Sequence, residues 1–358
     1  MNKLFLCFAA IFFFAFYACG AFGMNEPNAL DRCQTAVDDD GFDDVKTLLA
    51  RVFKLSPKTA KAYIGRGRVY LAEGNNDLAI DDFTQAIRLN PNDASAYNYR
   101  GFSQYTKTYS LEDIERAVAD YNLAIRLDPS YVPAYINRGH VYSGKASVYG
   151  QKSFYPLAVE DFNKVVALCS VSSDAYIYRG KMYLWNKRYD KALADVNHAI
   201  ELDPKNIIAY VVRSNIHIHT KDYQLAIEDY NKVIDLYSIF SPFEKWEVYR
   251  DRGIVFYRLG EFDHALADFN KVLELDPKNK IVYFNRGLVY YKQGDYDRAI
   301  ADFDLNCKFY PKHKEAYFVR GLAYKKMGDH ARAKEDFNFV VELDPKNKEA
   351  KKEILLLK

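Results

Sequence analysis

The stretch YFNRGLVYYKQGDYDRAIADFDLNCKFYP, residues 283–311, decides the fold. Tyr283, Gly287 and Tyr290 share one face of a first helix, Gly294-Asp295 turns the chain, and Ala299 and Phe303 share one face of a second. Pro311 closes the unit, because proline cannot continue the backbone ladder. The skeleton returns along the chain. Its marker is an alanine early in the second helix, at Ala79, Ala117, Ala158, Ala192, Ala226, Ala265, Ala299 and Ala333, and steps such as Ala265 to Ala299 to Ala333 are 34 residues. A glycine precedes it in the first helix at Gly67, Gly101, Gly139, Gly180, Gly253, Gly287 and Gly321, with Ser214 in the remaining unit. Small residues at both places let two antiparallel helices approach closely. Tyr stands four residues before each Gly or Ser, and an aromatic or, once, Val196 stands four residues after each Ala. One such hairpin cannot bury its apolar face alone; stacked copies bury a continuous core.

This pattern resembles the tetratricopeptide repeat, and the Arg-Gly pair of the first helix and the Ala-Ile/Leu-x-Asp-Phe run of the second resemble a variant common in bacterial members. The resemblance covers eight units: 60–93, 94–131, 132–172, 173–206, 207–240, 246–279, 280–313 and 314–347. It implies an all-α fold, a right-handed α-solenoid of antiparallel helix pairs with a concave groove lined by the first helices. Residues 24–59 read as a worn first repeat, in which Gly41 to Val45 matches the turn into a second helix; terminal repeats are atypical because they cap the stack. Residues 348–358 read as a capping helix, with Glu349, Lys351, Lys352 and Glu353 outside and Ile354 to Leu357 making apolar contact. Gly101 to Ala117 is four residues longer than Gly67 to Ala79, and Gly139 to Ala158 is seven longer. Ser110 is expected to cap a second helix that starts a turn early, whereas Gly144, Gly150 and Pro156 favour a loop. A third insertion, Ser241 to Lys245, lies between units.

Residues 1–23 read as a targeting segment: Lys3 supplies a positive start, and Leu4 to Phe16 is an apolar run of signal-peptide length, short for a membrane span. Ala18 before Cys19 resembles a bacterial lipobox, which implies cleavage before Cys19 and lipid on its sulfur; Phe16 departs from the usual Leu. Ordinary cleavage after Ala21-Phe22-Gly23 is the alternative. Either way the expectation is an exported protein, periplasmic or membrane-anchored, or else secreted and soluble, touching membrane only through the lipid. The formal net charge of +2, from 50 basic and 48 acidic residues, argues against nucleic acid as partner, which demands a basic surplus.

No catalytic constellation, metal site or cofactor motif is expected. The acidic run Asp38-Asp39-Asp40-Gly41 fails as a calcium loop, because aligning on its glycine puts Ala36 and Thr47 where carboxylates belong. His217 and His219 differ by two and so face apart on a helix; His217 replaces an aromatic and belongs to the packing. Cys33, Cys169 and Cys307 fall several repeats apart and are expected as free thiols. Each unit carries Arg before its Gly or Ser (Arg66, Arg100, Arg138, Arg179, Arg213, Arg252, Arg286, Arg320) and Asp three after its Ala (Asp82, Asp120, Asp161, Asp195, Asp229, Asp268, Asp302, Asp336). That matching predicts a ladder of ion pairs, within or between units.

If the Tyr of a first helix is position 4 and its Gly position 8, positions 2, 6, 9 and 13 point away from the buried stripe, flanked by 5 and 12. By the resemblance this face lines the groove. It carries Asn98, Tyr99, Phe102, Tyr105, Asn137, His140, Tyr178, Lys181, Trp185, Asn215, Phe284, Asn285, Tyr291 and Phe318. Aromatics mixed with amides suit a protein or peptide ligand: rigid area plus hydrogen bonds that fix a backbone. The Lys and Asn pattern that clamps a C-terminal carboxylate in some family members is absent, since Ile64, Arg68 and Tyr99 stand there. The sequence therefore predicts a non-enzymatic binding scaffold for envelope assembly, with a carrier of a small apolar ligand serving a transporter as the alternative. The two enlarged units and the next are expected to form a walled cleft anchored by Tyr99 or Trp185. For the lipid anchor, Cys19→Ser is expected to abolish labelling by a fatty-acid analogue; an unmodified N-terminus at Met24 would refute the anchor.

Overall fold

Most hairpins close where a glycine meets an aromatic ring; Gly180 meets Val196 instead, and Ser214 takes the glycine's place in the unit of Tyr230. A Cβ placed on Gly287 would lie 2.8 Å from the Phe303 ring, and one on Gly321 would lie 2.8 Å from Phe337. Ala299, Phe303, Ala333 and Phe337 are completely buried. The bare glycine is therefore what lets the ring seat against the first helix. The turn inside the hairpin is set by Gly294 at φ 83°, whose neighbour Asp295 donates its amide to the Tyr290 carbonyl (2.9 Å). Lys221, at φ 69°, takes that left-handed role in another hairpin. Between hairpins, Asp203, Asp276 and Asp344 accept the amides of Lys205, Lys278 and Lys346, which folds each Asp-Pro-Lys-Asn turn on itself.

The computed structural model describes residues 58–108, 110–147, 149–240 and 245–357. Their helices are α1 (Ala60–Ala72), α2 (Asn76–Leu89), α3 (Ala94–Thr108), α4 (Leu111–Leu127), α5 (Val132–Ser147), α6 (Tyr155–Leu168), α7 (Ser173–Trp185), α8 (Tyr189–Leu202), α9 (Ile207–Thr220), α10 (Tyr223–Phe240), α11 (Lys245–Leu259), α12 (Phe262–Leu275), α13 (Val282–Gln293), α14 (Tyr296–Phe309), α15 (Lys314–Lys326), α16 (His330–Leu343) and α17 (Lys348–Leu356). No strand occurs among the described residues. Two compact units divide at Ser170. The first holds the hairpins α1–α2, α3–α4 and α5–α6; the second holds α7–α8 through α15–α16, with α17 after them. Within each unit consecutive helices pack in antiparallel pairs, the all-α solenoid arrangement expected. The leader, Cys19, the worn first repeat, Cys33 and residues 241–244 of the third insertion lie outside the described residues.

The enlarged hairpins are folded, not loose. Ser110 caps α4, its hydroxyl accepting the Asp113 amide at 3.1 Å. The added turn of α4 buries Ile114 with Val141 and Tyr121, and Tyr105 packs beside them. In the α5–α6 hairpin the expected loop is mostly helix: α5 runs through Gly144 to Ser147, because Ala146 and Lys145 are buried at its end. The Lys145 ammonium sits 4.7 Å from the Phe154 ring, which also meets Tyr142 at 5.6 Å. Gly150, at φ 67°, turns the chain, and Pro156 starts α6. The capping helix also differs from expectation. Ile354 and Leu357 pack against Phe337 and Val340, but Leu355 and Leu356 are exposed. Glu353, expected outside, turns inward to accept the Lys325 ammonium at 2.5 Å.

All eight ladder pairs form, each within its own hairpin. Arg252 Nε and Nη2 donate to the two oxygens of Asp268 at 2.8 and 2.6 Å, and the other seven repeat this fork. The remaining Nη1 reaches the second helix of the preceding hairpin: Arg138 to Asn122 (2.5 Å), Arg213 to Asn197 (2.8 Å), Arg286 to Asn270 (2.8 Å) and Arg320 to Asp304 (2.7 Å). Burial pushes the Asp161, Asp268 and Asp336 carboxyls up, against the arginine bonds that pull them down. Cys169 and Cys307 are free thiols, and burial raises Cys307 to about 11. Removing one partner strands a mostly buried charge, so Asp268→Ala is expected to cost about 3 kcal/mol in chemical denaturation. A loss under about 0.5 kcal/mol would mark the pair as an ordinary surface bridge.

Candidate functional site: the wall of first helices

In the first unit α1 touches α3 and α3 touches α5; in the second α7 touches α9, α11 touches α13 and α13 touches α15. First helices of these neighbouring hairpins thus form a wall, and its surface residues are the candidates. Close packing between them decides what stays open. Asn98 and Asn137 are 3% and 6% exposed and bonded to each other, Asn137 Nδ2 donating to Asn98 Oδ1 at 2.9 Å. These two amides join α3 to α5 and offer a partner little surface.

Tyr99 is different. Its ring stacks on Phe83 at 5.5 Å, the Arg68 guanidinium lies 5.4 Å from its centroid, and the side chain is half-buried. Tyr131, at the turn into α5, belongs to the same group. Burial pushes its phenol well above the ordinary value, with Tyr99 and Asp93 adding and Arg68 opposing. Neither Arg68 nor Tyr131 was a sequence candidate. The signal for Tyr131 was its place after Asp128-Pro129-Ser130, where Asn206, Asn279 and Asn347 stand in the other turns of this kind. Phe102 is half-buried beside this cluster on α3, Tyr105 is committed partly to the core, and His140 meets the Phe162 ring edge-on at 5.4 Å.

In the second unit Tyr178 is half-buried, and burial followed by Asp174 pushes its phenol up. Lys181 is exposed; desolvation by the surrounding protein lowers its amine, with Asp174 pulling the other way. Trp185 is 40% exposed and Asn215 is exposed. Farther along, Phe284 packs on His313 (4.6 Å) and Phe303 (6.0 Å), Tyr291 on Tyr296 (5.6 Å) and Phe318 on Phe337 (5.6 Å). Asn285 is half-buried beside Phe284.

Family models agree with this geometry. Models described as TPR repeat match residues 67–107, 108–145 and 253–294, and models described as tetratricopeptide repeat match 173–206, 207–239, 281–313 and 315–347. The chain belongs to the tetratricopeptide repeat family. Among curated proteins none matches it. A tetratricopeptide repeat protein from Parabacteroides merdae is similar in structure at 17% identity and TM-score 0.52, over 84% of this chain and 99% of that one. Cut9–Hcn1 of the APC/C is similar at 14% identity and TM-score 0.56, over 92% of this chain and 57% of that one. YrrB, described as a TPR protein with an unusual peptide-binding site, aligns at 21% identity and TM-score 0.46 over 54% of this chain and 97% of its own. The first two likenesses concern the fold. Tetratricopeptide repeats commonly mediate protein or peptide binding and are generally non-catalytic.

The lowered Lys181 amine is free base at a lower pH than an ordinary lysine, and it is exposed. In this tetratricopeptide repeat chain Lys181 is expected to be modified ahead of the other lysines by limiting acetic anhydride near pH 8, as read by peptide mass spectrometry. Modification no faster than at exposed Lys61 or Lys351 would contradict that lowering.

Proposed function

We propose that this tetratricopeptide repeat protein is an exported, non-enzymatic scaffold that binds a protein or peptide partner on its wall of first helices and helps assemble envelope protein complexes. The observation that carries the binding reading is Tyr99. Its ring stacks on Phe83 and lies against the Arg68 guanidinium, which restricts it, while the side chain stays half-buried. Such a pre-organised aromatic gives contact area at little entropic cost. Trp185, exposed in the second unit, offers a further anchor. Export rests on the apolar leader, and anchoring on Ala18-Cys19.

A photo-crosslinking residue at Phe102, beside Tyr99, is expected to capture a protein in the native envelope. Tyr99→Ala is expected to weaken that partner by about 2 kcal/mol with the helical melting curve unchanged. Survival of binding in Tyr99→Ala and its loss in Phe284→Ala or Phe318→Ala would move the site to the second unit. A small molecule co-purifying in native mass spectrometry, with no protein captured, would overturn the scaffold reading in favour of a carrier.

A further inference from the structure

The ladder arginines are stacked as well as bonded. Arg66 lies 5.6 and 5.8 Å from the rings of Tyr63 and Tyr70, and Arg286 lies 5.8 Å from both Tyr283 and Tyr290. Arg138, Arg252 and Arg320 are likewise placed between a ring three residues before and a ring four residues after. The second ring is covered in turn from outside: the Arg298 guanidinium sits 4.5 Å from Tyr290, and Arg332 sits 4.4 Å from Tyr324. A sandwich of cation, ring and cation is thus the rule of the second unit's last hairpins.

The α9–α10 hairpin breaks it. Arg213 keeps its first ring, Tyr210, at 5.5 Å, but the second ring is replaced by the smaller His217, and the outer cation by Leu225. A cavity of about 470 Å³ opens beside Arg213, lined also by Tyr210, His217, Leu225, Glu228 and Lys232. His217 is 9% exposed, and its Nδ1 is buried without a hydrogen-bond partner. The nearest carboxylate oxygens, on Asp222 and Asp229, are 4.0 Å from the ring nitrogens, beyond hydrogen-bonding reach. Nδ1 itself is closed to solvent; the Nε2 side of the ring, toward the cavity-lining Asp229, is the one a ligand can meet.

We propose that this cavity is a binding site for a phenol, carried by a tyrosine side chain or a free small molecule. The ring takes the place that Tyr290 fills in its own hairpin, stacked on Arg213 and walled by Leu225. The direction of entry is reversed. A resident tyrosine grows out of the helix with its hydroxyl outward, whereas a ligand enters from solvent with its hydroxyl leading, toward His217. The imidazole accepts that proton donor because burial holds it neutral, with Arg213 adding and Asp229, Asp222 and Glu228 opposing. An anion is disfavoured: the Arg213 fork is already spent on Asp229, and Glu228 offsets Lys232. The site uses positions 4, 7 and 11 of α9, not the wall positions, so it stands or falls independently of the scaffold reading.

The test is a titration of the full chain with 4-methylphenol, with toluene and with the capped tripeptide Gly-Tyr-Gly, monitored by shifts of the His217 and Leu225 resonances. Saturable binding of 4-methylphenol is expected, with toluene at least about fivefold weaker for want of the hydroxyl. Binding of the tripeptide as well assigns the site to a protein-borne tyrosine; exclusion of the tripeptide assigns it to a free phenol. His217→Tyr fills the cavity from within and is expected to lower affinity at least about tenfold while raising the melting temperature by a few degrees. Leu225→Ser, at an exposed position, is expected to weaken binding without altering the fold. No saturable binding of 4-methylphenol, or undiminished affinity in His217→Tyr, would overturn the proposal.

Discussion

The repeated arginine is the constraint on which the hairpins depend. A guanidinium offers five donors in a fixed plane, and here three directions are used at once. Two donors fork onto the aspartate of the same hairpin, a third reaches back to the preceding hairpin, and the flat faces rest on tyrosine rings. The core between the helices is otherwise apolar, built from glycine, alanine, an aromatic ring in most hairpins and Val, Ile and Leu side chains, which favour closeness but not one register. The planar fork supplies the register. A lysine has one point charge and no face to stack, so it cannot hold three helices together.

The fold was legible because its repeat depends on residue size. Gly287 and Ala299 are small for a reason that recurs every unit, and Phe303 is large for the complementary reason. The ion pairs were legible from their equal periodicity. Their partner in the previous hairpin was equally periodic, since Asn122, Asn197, Asn231 and Asn270 each stand two residues after an Asp, but assigning it requires knowing how hairpins stack. Gly144 misled because a helix tolerates glycine when its neighbours are buried, as Lys145 and Ala146 are.

The candidate surface was legible only as a face. Helical periodicity correctly puts Asn98 and Tyr99 side by side, yet cannot say that one amide is closed off by Asn137 while the ring beside it stays half open. That distinction belongs to contacts between helices 39 residues apart. Tyr131 lay off the helix altogether, in a turn position where the pattern expected asparagine. His217 was legible as an exception to the aromatic pattern; the space it leaves was not, because a cavity is defined by everything around it.

The backward reach of the arginine gives the stack a polarity. The donor belongs to the later hairpin and the acceptor to the earlier one, as with Arg286 on Asn270 and Arg320 on Asp304. A hairpin emerging during synthesis therefore carries the hook that fastens it to structure already made, and growth can proceed in the order of translation without waiting for later hairpins. The α15–α16 hairpin receives no such hook from its successor: Asn338 occupies the acceptor position after Asp336, but α17 bears Ile354 where the next arginine would stand. The junction between α16 and α17 is fastened by other means, the Lys325 ammonium on Glu353 and the packing of Ile354 and Leu357 against Phe337 and Val340.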